Sequence, residues 1–367
     1  MNKKYIVALV VLILVIGLFA FRGGKKDTGT IKIGFISPLT GEVSNLGLAS
    51  KAAAEIARDE INTAGGINGR KIELISEDGK CNPKDASTAA QKLVSIDGVT
   101  AIVGGLCSGE TGAIIPIAKE KKVVTISTCS SAPNLSGISP YFFRTYPSDV
   151  FEGKAVADYM YTTLGKRKVA VLYHVSEWGN GVKDIFIKRF TELGGTIVAE
   201  EGASIDTRDY RTALQKIKVA KPEYVYAALY PEGGIVVSKQ INQLGITAPL
   251  FGSGPWGDAK FQKEAFSETP ILYSTVKTPQ DATFNEKVKA ITQADAPLCS
   301  TQAYDNVKIF ARVMSKVGTD GDAIAKELHL INYTGLSGPI SYDEKGDLKV
   351  AEYVIQKLEK GVVTEVK

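Results

Sequence analysis

Past residue 30 the chain alternates short apolar runs with longer stretches in which apolar residues recur every three or four positions. "IKIGFIS" (31–37) is a run of the first kind and predicts a strand buried on both faces. "SKAAAEIARDEINTA" (50–64) is of the second kind. It sets Ala53, Ile56, Ala57, Ile61 and Ala64 on one helical face, and "GGING" ends it. "KIELISED" predicts a second strand and "PKDASTAAQKLVSI" a second helix, with Pro83 in its first turn. "TAIVGG", "GAIIPIAKEK" and "VVTIST" follow as strand, helix and strand. That order implies βαβ units and a parallel sheet with helices on both faces.

The pattern restarts after "FFRTYPSDV" (142–150). A helix over 151–164 leads to strand "RKVAVLYH", helix 181–193, strand "TIVAEE", helix 210–219, strand "EYVYAAL", helix 234–244 and strand "APLFGS". "ILYSTVKTP" (271–279) reads as a connection, with helices after it at about 284–294 and 303–316. The end, "GPISYDEKGDLKVAEYVIQKLEKG", reads as an antiparallel pair of strands turning at Lys345-Gly346. The expected fold is α/β, with two doubly wound parallel-sheet lobes. Ligands of such sheets bind beyond the carboxyl ends of the strands, so a site is expected in the cleft between the lobes.

The N-terminus breaks this pattern. Tyr5 to Phe21 is a run of 17 residues without a charge, with Lys3 and Lys4 before it and Arg22, Lys25 and Lys26 after it. A secretory signal core is usually ~7–15 residues and ends at a small-x-small cleavage site. Here Leu18 stands two places before Ala20, and no cysteine follows for a lipid anchor. The length is near the lower limit for crossing a bilayer. The expectation is an exported chain tethered to the membrane through residues 5–21. The formal net charge of +4 comes from this end, because Lys+Arg and Asp+Glu balance in the rest of the chain. A neutral body gives no argument for nucleic acid.

The cysteines are Cys81, Cys107, Cys129 and Cys299, and the histidines are His174 and His329. An even cysteine count in an exported chain points to disulfides, and the spacing is not that of a zinc site. No metal or cofactor is expected. There is no G-x-S-x-G, no nucleophile beside His174 and no cluster of carboxylates, so no catalysis is expected.

"IVGGLCSGETG" (102–112) matches the glycine spacing of a phosphate loop, with Glu110 where the lysine belongs. A triphosphate fits badly there. A smaller anion fits without a lysine, because the unpaired N–H groups and the positive dipole end of the following helix both favour it, and Ser108 adds a hydroxyl. The next strand ends in "TISTCSSAPNLS", where Ser127, Thr128, Ser130 and Ser131 crowd together. In the second unit Trp178, Tyr230 and Trp256 each follow a strand. One such aromatic is ordinarily a core plug; three at corresponding strand ends suggest a cleft wall.

"IKIGFISPLTGEVSNLG", "ARDEINTAGGINGRKIEL", "EDGKCNPKDA", "IVGGLCSGET", "FFRTYPSD" and "GLSGPISYDEKGD" together resemble the branched-chain amino-acid (Leu/Ile/Val) binding proteins of ABC importers. These are type I periplasmic binding proteins, and the resemblance runs over about residues 30–360. It implies two lobes joined by three crossovers, closing by hinge motion on a small ligand for an ABC permease, without chemistry or cofactor. The implied division is 1–29 as signal or anchor and linker, 30–147 plus 278–332 as lobe 1, and 148–277 plus 333–367 as lobe 2.

By the same resemblance Cys81 and Cys107 pair in a disulfide, and Ser108 holds the ligand carboxylate. Cys129 and Ser131 serve its amino and carboxylate groups, Trp178 and Tyr230 line the cleft, and Leu46 covers the side chain. One departure matters. The acid that usually pairs with the ligand ammonium, in the loop "FGSGPWGD", is here Gly254 or Pro255. Either Glu177, Glu232 or Asp258 replaces it, or the ligand is not an α-amino acid, since a buried ammonium needs a carboxylate. Cys129 and Cys299 are extra to the pattern and are either a second disulfide or two free thiols. A sensor of the same fold is the alternative function, and a nucleotide-binding enzyme a remote one.

Overall fold

The structure is a computed structural model that describes residues 29–366. The uncharged run at 5–21 lies outside the described residues. Among those described, no helix is long and apolar enough to cross a membrane.

The first sheet is built from β1 (Ile31–Ser37), helix α1 (Ser44–Thr63), β2 (Ile72–Asp78), α2 (Pro83–Gln91), β3 (Ala101–Gly104), α3 (Ser108–Glu120), β4 (Val124–Ser127) and β5 (Phe142–Arg144). Its strand order is β2-β1-β3-β4-β5, and every neighbouring pair is parallel. Strand residues alternate between two cores. Ile33, Phe35 and Val103 face one side, and Ile36 and Ile102 face the other, where they meet Leu93 and Ile114. This is the two-sided burial that near-continuous apolar strands require.

The chain then crosses to a second sheet through residues 145–148. This sheet and its helices comprise α4 (Asp149–Asp158), β6 (Lys168–His174), α5 (Glu177–Glu192), β7 (Thr196–Ala203), α6 (Arg211–Ala220), β8 (Tyr224–Ala228), α7 (Pro231–Gln243), β9 (Leu250–Gly252), α8 (Ala259–Glu264) and β10 (Ile271–Val276). The chain returns to the first lobe as α9 (Ala282–Thr292), α10 (Ser300–Val317), α11 (Gly321–Leu328), β11 (Tyr333–Gly335) and β12 (Gly338–Ile340). It crosses again to end as β13 (Tyr353–Glu359) and β14 (Val362–Val366). The second sheet has the order β14-β13-β10-β9-β8-β6-β7. Its last two strands are antiparallel to their neighbours, and the others run parallel. Val169 and Val171 face one core, and Ala170 and Leu172 the other.

Three features differ from the sequence reading. "ILYSTV" is strand β10 in the middle of the second sheet, not a connection, and Ile271 to Thr275 are all buried. The terminal antiparallel pair turns at Lys360-Gly361; around Lys345-Gly346 there is only an isolated bridge from Tyr342 to Leu348. Ile340 and Tyr342 pack in the core of the first sheet with Phe310 and Ile324, so residues 333–348 sit with lobe 1 and the last crossover falls after them.

Candidate functional site

The β3–α3 junction holds the "GGLCSGET" motif. Gly104 has φ +142°, and a Cβ on it would lie 2.2 Å from the Ile36 carbonyl; a Cβ on Gly105 would lie 2.7 Å from the Cβ of Glu110. The two glycines let the turn fold tightly enough for Glu110 to reach back. Its Oε2 accepts the N–H groups of Leu106 and Cys107, each at 3.0 Å, and Oε1 accepts that of Cys81 at 3.0 Å. Glu110 is wholly buried, and burial pushes its carboxyl up to about 7 against the pull of those N–H bonds. The amides a phosphate loop would offer at this turn are therefore occupied by the protein's own carboxylate. Cys81 and Cys107 form a disulfide across the same turn, with Cα atoms 5.3 Å apart.

Ser108 opens the first turn of α3 and is 2% exposed. Its Oγ accepts the Ala132 N–H at 3.2 Å, which ties it to the β4 loop. In that loop the hydroxyls divide. Ser127 donates to the Gly105 carbonyl at 2.8 Å, and Ser130 lies 2.6 Å from the Thr111 hydroxyl, so both hold the two loops together. Ser131 and Cys129 border the interlobe gap instead. Cys129 is bonded to Cys299, with Cα atoms 5.5 Å apart, which settles the two alternatives for that pair.

On the second lobe, His174 ends β6 in the core. Its Nδ1 accepts the Tyr230 N–H at 3.2 Å, and its Nε2 lies 2.9 Å from the Tyr210 hydroxyl. Burial lowers its pKa to about 3, so the ring is neutral and, with Nδ1 accepting, Nε2 carries the proton. The Tyr230 ring stacks on Trp178 with centroids 4.7 Å apart.

These walls meet at one gap. Leu46, Leu106, Ser108, Cys129, Ser131 and Leu298 border it from lobe 1; Glu152, Trp178, Tyr230 and Pro255 border it from lobe 2; Tyr146 borders it from the first crossover. The lobes leave a cavity of only about 30 Å³ between them. They also touch around it. Arg208 pairs with Glu42, the Asn134 amide donates to Glu177, and Cys81 Sγ lies 3.9 Å from the Tyr230 hydroxyl. Leu46 reaches the gap because α1 begins at Ser44, six residues before the first residue of the predicted run.

Other candidates lie elsewhere. Trp256 is fully buried; its indole N–H donates to the Leu229 carbonyl at 2.9 Å, and its ring stacks on Phe261 at 4.4 Å, so it plugs the lobe 2 core. Glu177 is exposed at the start of α5 and is held by Asn134. Glu232 pairs with Lys260 at 3.3 Å. Asp258 caps α8 by accepting the Lys260 and Phe261 N–H groups. None of these three acids borders the gap, and Ser130 does not either.

The acid that does is Glu152, which the sequence reading missed. It sits in the first turn of α4, where an acid ordinarily answers the helix dipole. Instead its Oε1 accepts the Gly254 N–H and the Ser274 hydroxyl, each at 2.6 Å. Burial raises its carboxyl to about 7, and it raises the neighbouring Asp149 well above the ordinary range, with the Glu152 charge adding to the shift there. Two buried carboxylates this close cannot both ionise cheaply.

Two sheet-centred lobes, crossed by the chain three times and closed on a gap with hydroxyls on one wall and stacked aromatics on the other, define a two-lobed solute-binding protein. The family model described as periplasmic binding protein matches residues 30–361, and the chain belongs to that family. Its family places it outside the cytoplasm. It is 28% identical to the leucine-, isoleucine-, valine-, threonine- and alanine-binding protein of Pseudomonas aeruginosa, over 95% of both chains. The fold matches LivJ, a branched-chain amino acid transporter substrate-binding protein from Streptococcus pneumoniae solved with isoleucine, at TM-score 0.79 and 27% identity, covering 92% of this chain and 99% of that one. It matches an ABC transporter solute-binding protein of Rhodopseudomonas palustris solved with 3,4-dihydroxybenzoic acid at TM-score 0.81 and 25% identity, covering 93% and 97%.

Proposed function

We propose that this protein is the extracytoplasmic solute-binding component of an ABC importer, taking a small amino acid or related carboxylate into the interlobe gap and presenting it to a permease. The observation that carries this reading is the convergence of Ser108, Ser131 and the amino end of α3 on one wall, opposite the stacked Trp178 and Tyr230 on the other. Hydroxyls and a positive dipole end seat a carboxylate, and the rings cover the rest of the solute. A gap this small admits a ligand only when the lobes part, so binding is coupled to opening and closing of the lobes. The family relatives that bind amino acids and benzoates support the same class of ligand.

The uncharged run at 5–21 supports a tether, so that the protein works at the membrane surface beside its permease. Fractionation of cells expressing the full chain tests this: the protein should stay with the membranes through a high-salt wash, and release into the soluble fraction would refute the tether. For the solute reading, thermal shift with millimolar leucine, isoleucine and benzoate is the direct test. A ligand that binds only the folded state raises the midpoint by mass action. No shift with any amino acid or carboxylate would contradict it.

A further inference from the structure

The gap contains a carboxylate that the sequence pattern gave no reason to expect there. Position 254, in the loop after β9, has no side chain. A Cβ built on it would lie 3.0 Å from the Tyr146 hydroxyl and 3.3 Å from Glu152 Oε2. The volume beside the loop is thus filled by an acid arriving from another element, 102 residues earlier in the chain. That acid is held firmly. Its Oε1 is fixed by the Gly254 N–H and the Ser274 hydroxyl, and the residue is 1% exposed.

Around it is a buried polar cluster without a positive charge of its own. Asp149, one helical turn before Glu152, is fully buried, and neither of its side-chain oxygens has a hydrogen-bond partner of good geometry, although the Ser131 hydroxyl lies beside it. The hydroxyls of Tyr146, Tyr226 and Tyr353 are also buried and unpartnered. Tyr146 borders the gap with Glu152. Among the described residues, the cation whose charge acts on Asp149 is Arg144. Its guanidinium is committed elsewhere, to Asp347 at 2.6 Å, the Ser136 hydroxyl at 2.8 Å and the Ala132 carbonyl at 3.0 Å. Buried polar groups in a native protein are ordinarily satisfied, so the orphan Tyr146 hydroxyl at the gap, beside Glu152, points to where a ligand atom goes.

We propose that Glu152, arriving from α4 with Asp149 behind it, takes the place of the acid missing from the Gly254 loop and seats the ligand's ammonium group, so that this residue makes the site select amino acids over plain or aromatic carboxylates. This rests on the proposed solute-binding function and selects within it. Of two neighbouring buried carboxylates only one ionises cheaply, which leaves one negative charge to match one ammonium. Ser108 and Ser131 border the same small gap, so the carboxylate and ammonium seats are close enough for both groups to sit on one carbon. Leu46, Leu106, Leu298 and Pro255 supply the apolar remainder. The acid absent from the Gly254 loop is replaced in function by one from α4, and the alternatives Glu177, Glu232 and Asp258 are not needed.

The test is isothermal titration of the full chain with the common amino acids, with 4-methylpentanoate (leucine without its amine) and with benzoate, on the wild type and on Glu152→Gln. One or more apolar amino acids should bind the wild type, with 4-methylpentanoate and benzoate weaker by at least about 100-fold, because a site built around a polar group rejects the analogue that lacks it. Glu152→Gln keeps the acceptor for Gly254 and Ser274 and should weaken amino-acid binding at least about 30-fold, the order expected when one partner of a buried charge pair is removed. Binding of 4-methylpentanoate or benzoate as tightly as any amino acid overturns the inference and leaves the solute reading standing. So does a Glu152→Gln protein whose amino-acid affinity stays within threefold. Absence of heat with every amino acid and carboxylate overturns both. The analogue comparison on the wild type decides the matter even if the variant folds poorly.

Discussion

The backbone N–H of Tyr230 donates to Nδ1 of His174 over 3.2 Å, so a core histidine fixes the start of the segment that carries a gap-lining ring. His174 is kept neutral by burial, with its pKa lowered to about 3. Unfolded, it would titrate near 6.5. Between those values the unfolded chain binds a proton that the folded chain refuses, so the histidine's contribution is present above pH 6.5 and is lost as pH falls toward 3. Denaturant unfolding of the wild type and His174→Gln across that range should show their stability difference shrinking toward acid, by up to about 1.4 kcal/mol per pH unit. A difference that stays constant with pH would contradict a neutral buried ring.

Glu110 is predicted to be structural. Glu110→Ala would leave the N–H groups of Cys81, Leu106 and Cys107 without their acceptor in a buried turn. Each such group costs about 1–3 kcal/mol, so a loss of about 3 kcal/mol or more is expected. Glu110→Gln retains one acceptor and should lose less. Equal urea midpoints for wild type and Glu110→Ala would refute this role.

The two disulfides should differ in weight. Cys81–Cys107 spans 26 residues and Cys129–Cys299 spans 170. The cost of closing a loop in the unfolded chain grows with its length, giving about 3–4 kcal/mol for the first and about 5 for the second. Guanidinium unfolding of the two double-serine variants should rank them in that order. Cys129→Ser/Cys299→Ser should also weaken ligand binding, because the bond anchors Leu298 at the gap; the opposite ranking would show that the entropic argument fails here.

Trp178 and Trp256 are the only tryptophans. Trp178 borders the gap and Trp256 is sealed in the lobe 2 core. Ligand addition should change intrinsic fluorescence in the wild type and in Trp256→Phe but leave Trp178→Phe silent. A response that follows Trp256 would place the ligand elsewhere.

That contrast shows where sequence reading stops. Both tryptophans follow strands and neighbour glycines, and nothing local says which one the next turn rotates into the core. The βαβ order was legible because strands buried on both faces are apolar throughout, as in "IKIGFIS". Strand β10 was not, because Ser274, Thr275 and the later Pro279 read as loop chemistry, although the serine and threonine are buried. Ser274 is polar for a reason: it donates to Glu152. The β3–α3 turn carried its own signal in glycine spacing, Ser108 and Glu110. Glu152 carried none, since a first-turn acid on α4 looks like dipole complementation until the fold brings Gly254 within 2.6 Å of it. Contacts made by folding across 102 residues leave no periodicity to read.

The most direct test of a carboxylate seat in the interlobe gap is isothermal titration of the best-binding amino acid into wild type and Ser108→Ala. Ser108 is 2% exposed and also anchors Ala132, so circular dichroism of the variant should accompany the titration. The wild type should bind one ligand per chain, and the variant should bind it more weakly by about 1.5–3 kcal/mol, the worth of a hydrogen bond to a charged group. A folded Ser108→Ala protein with unchanged affinity would contradict the account.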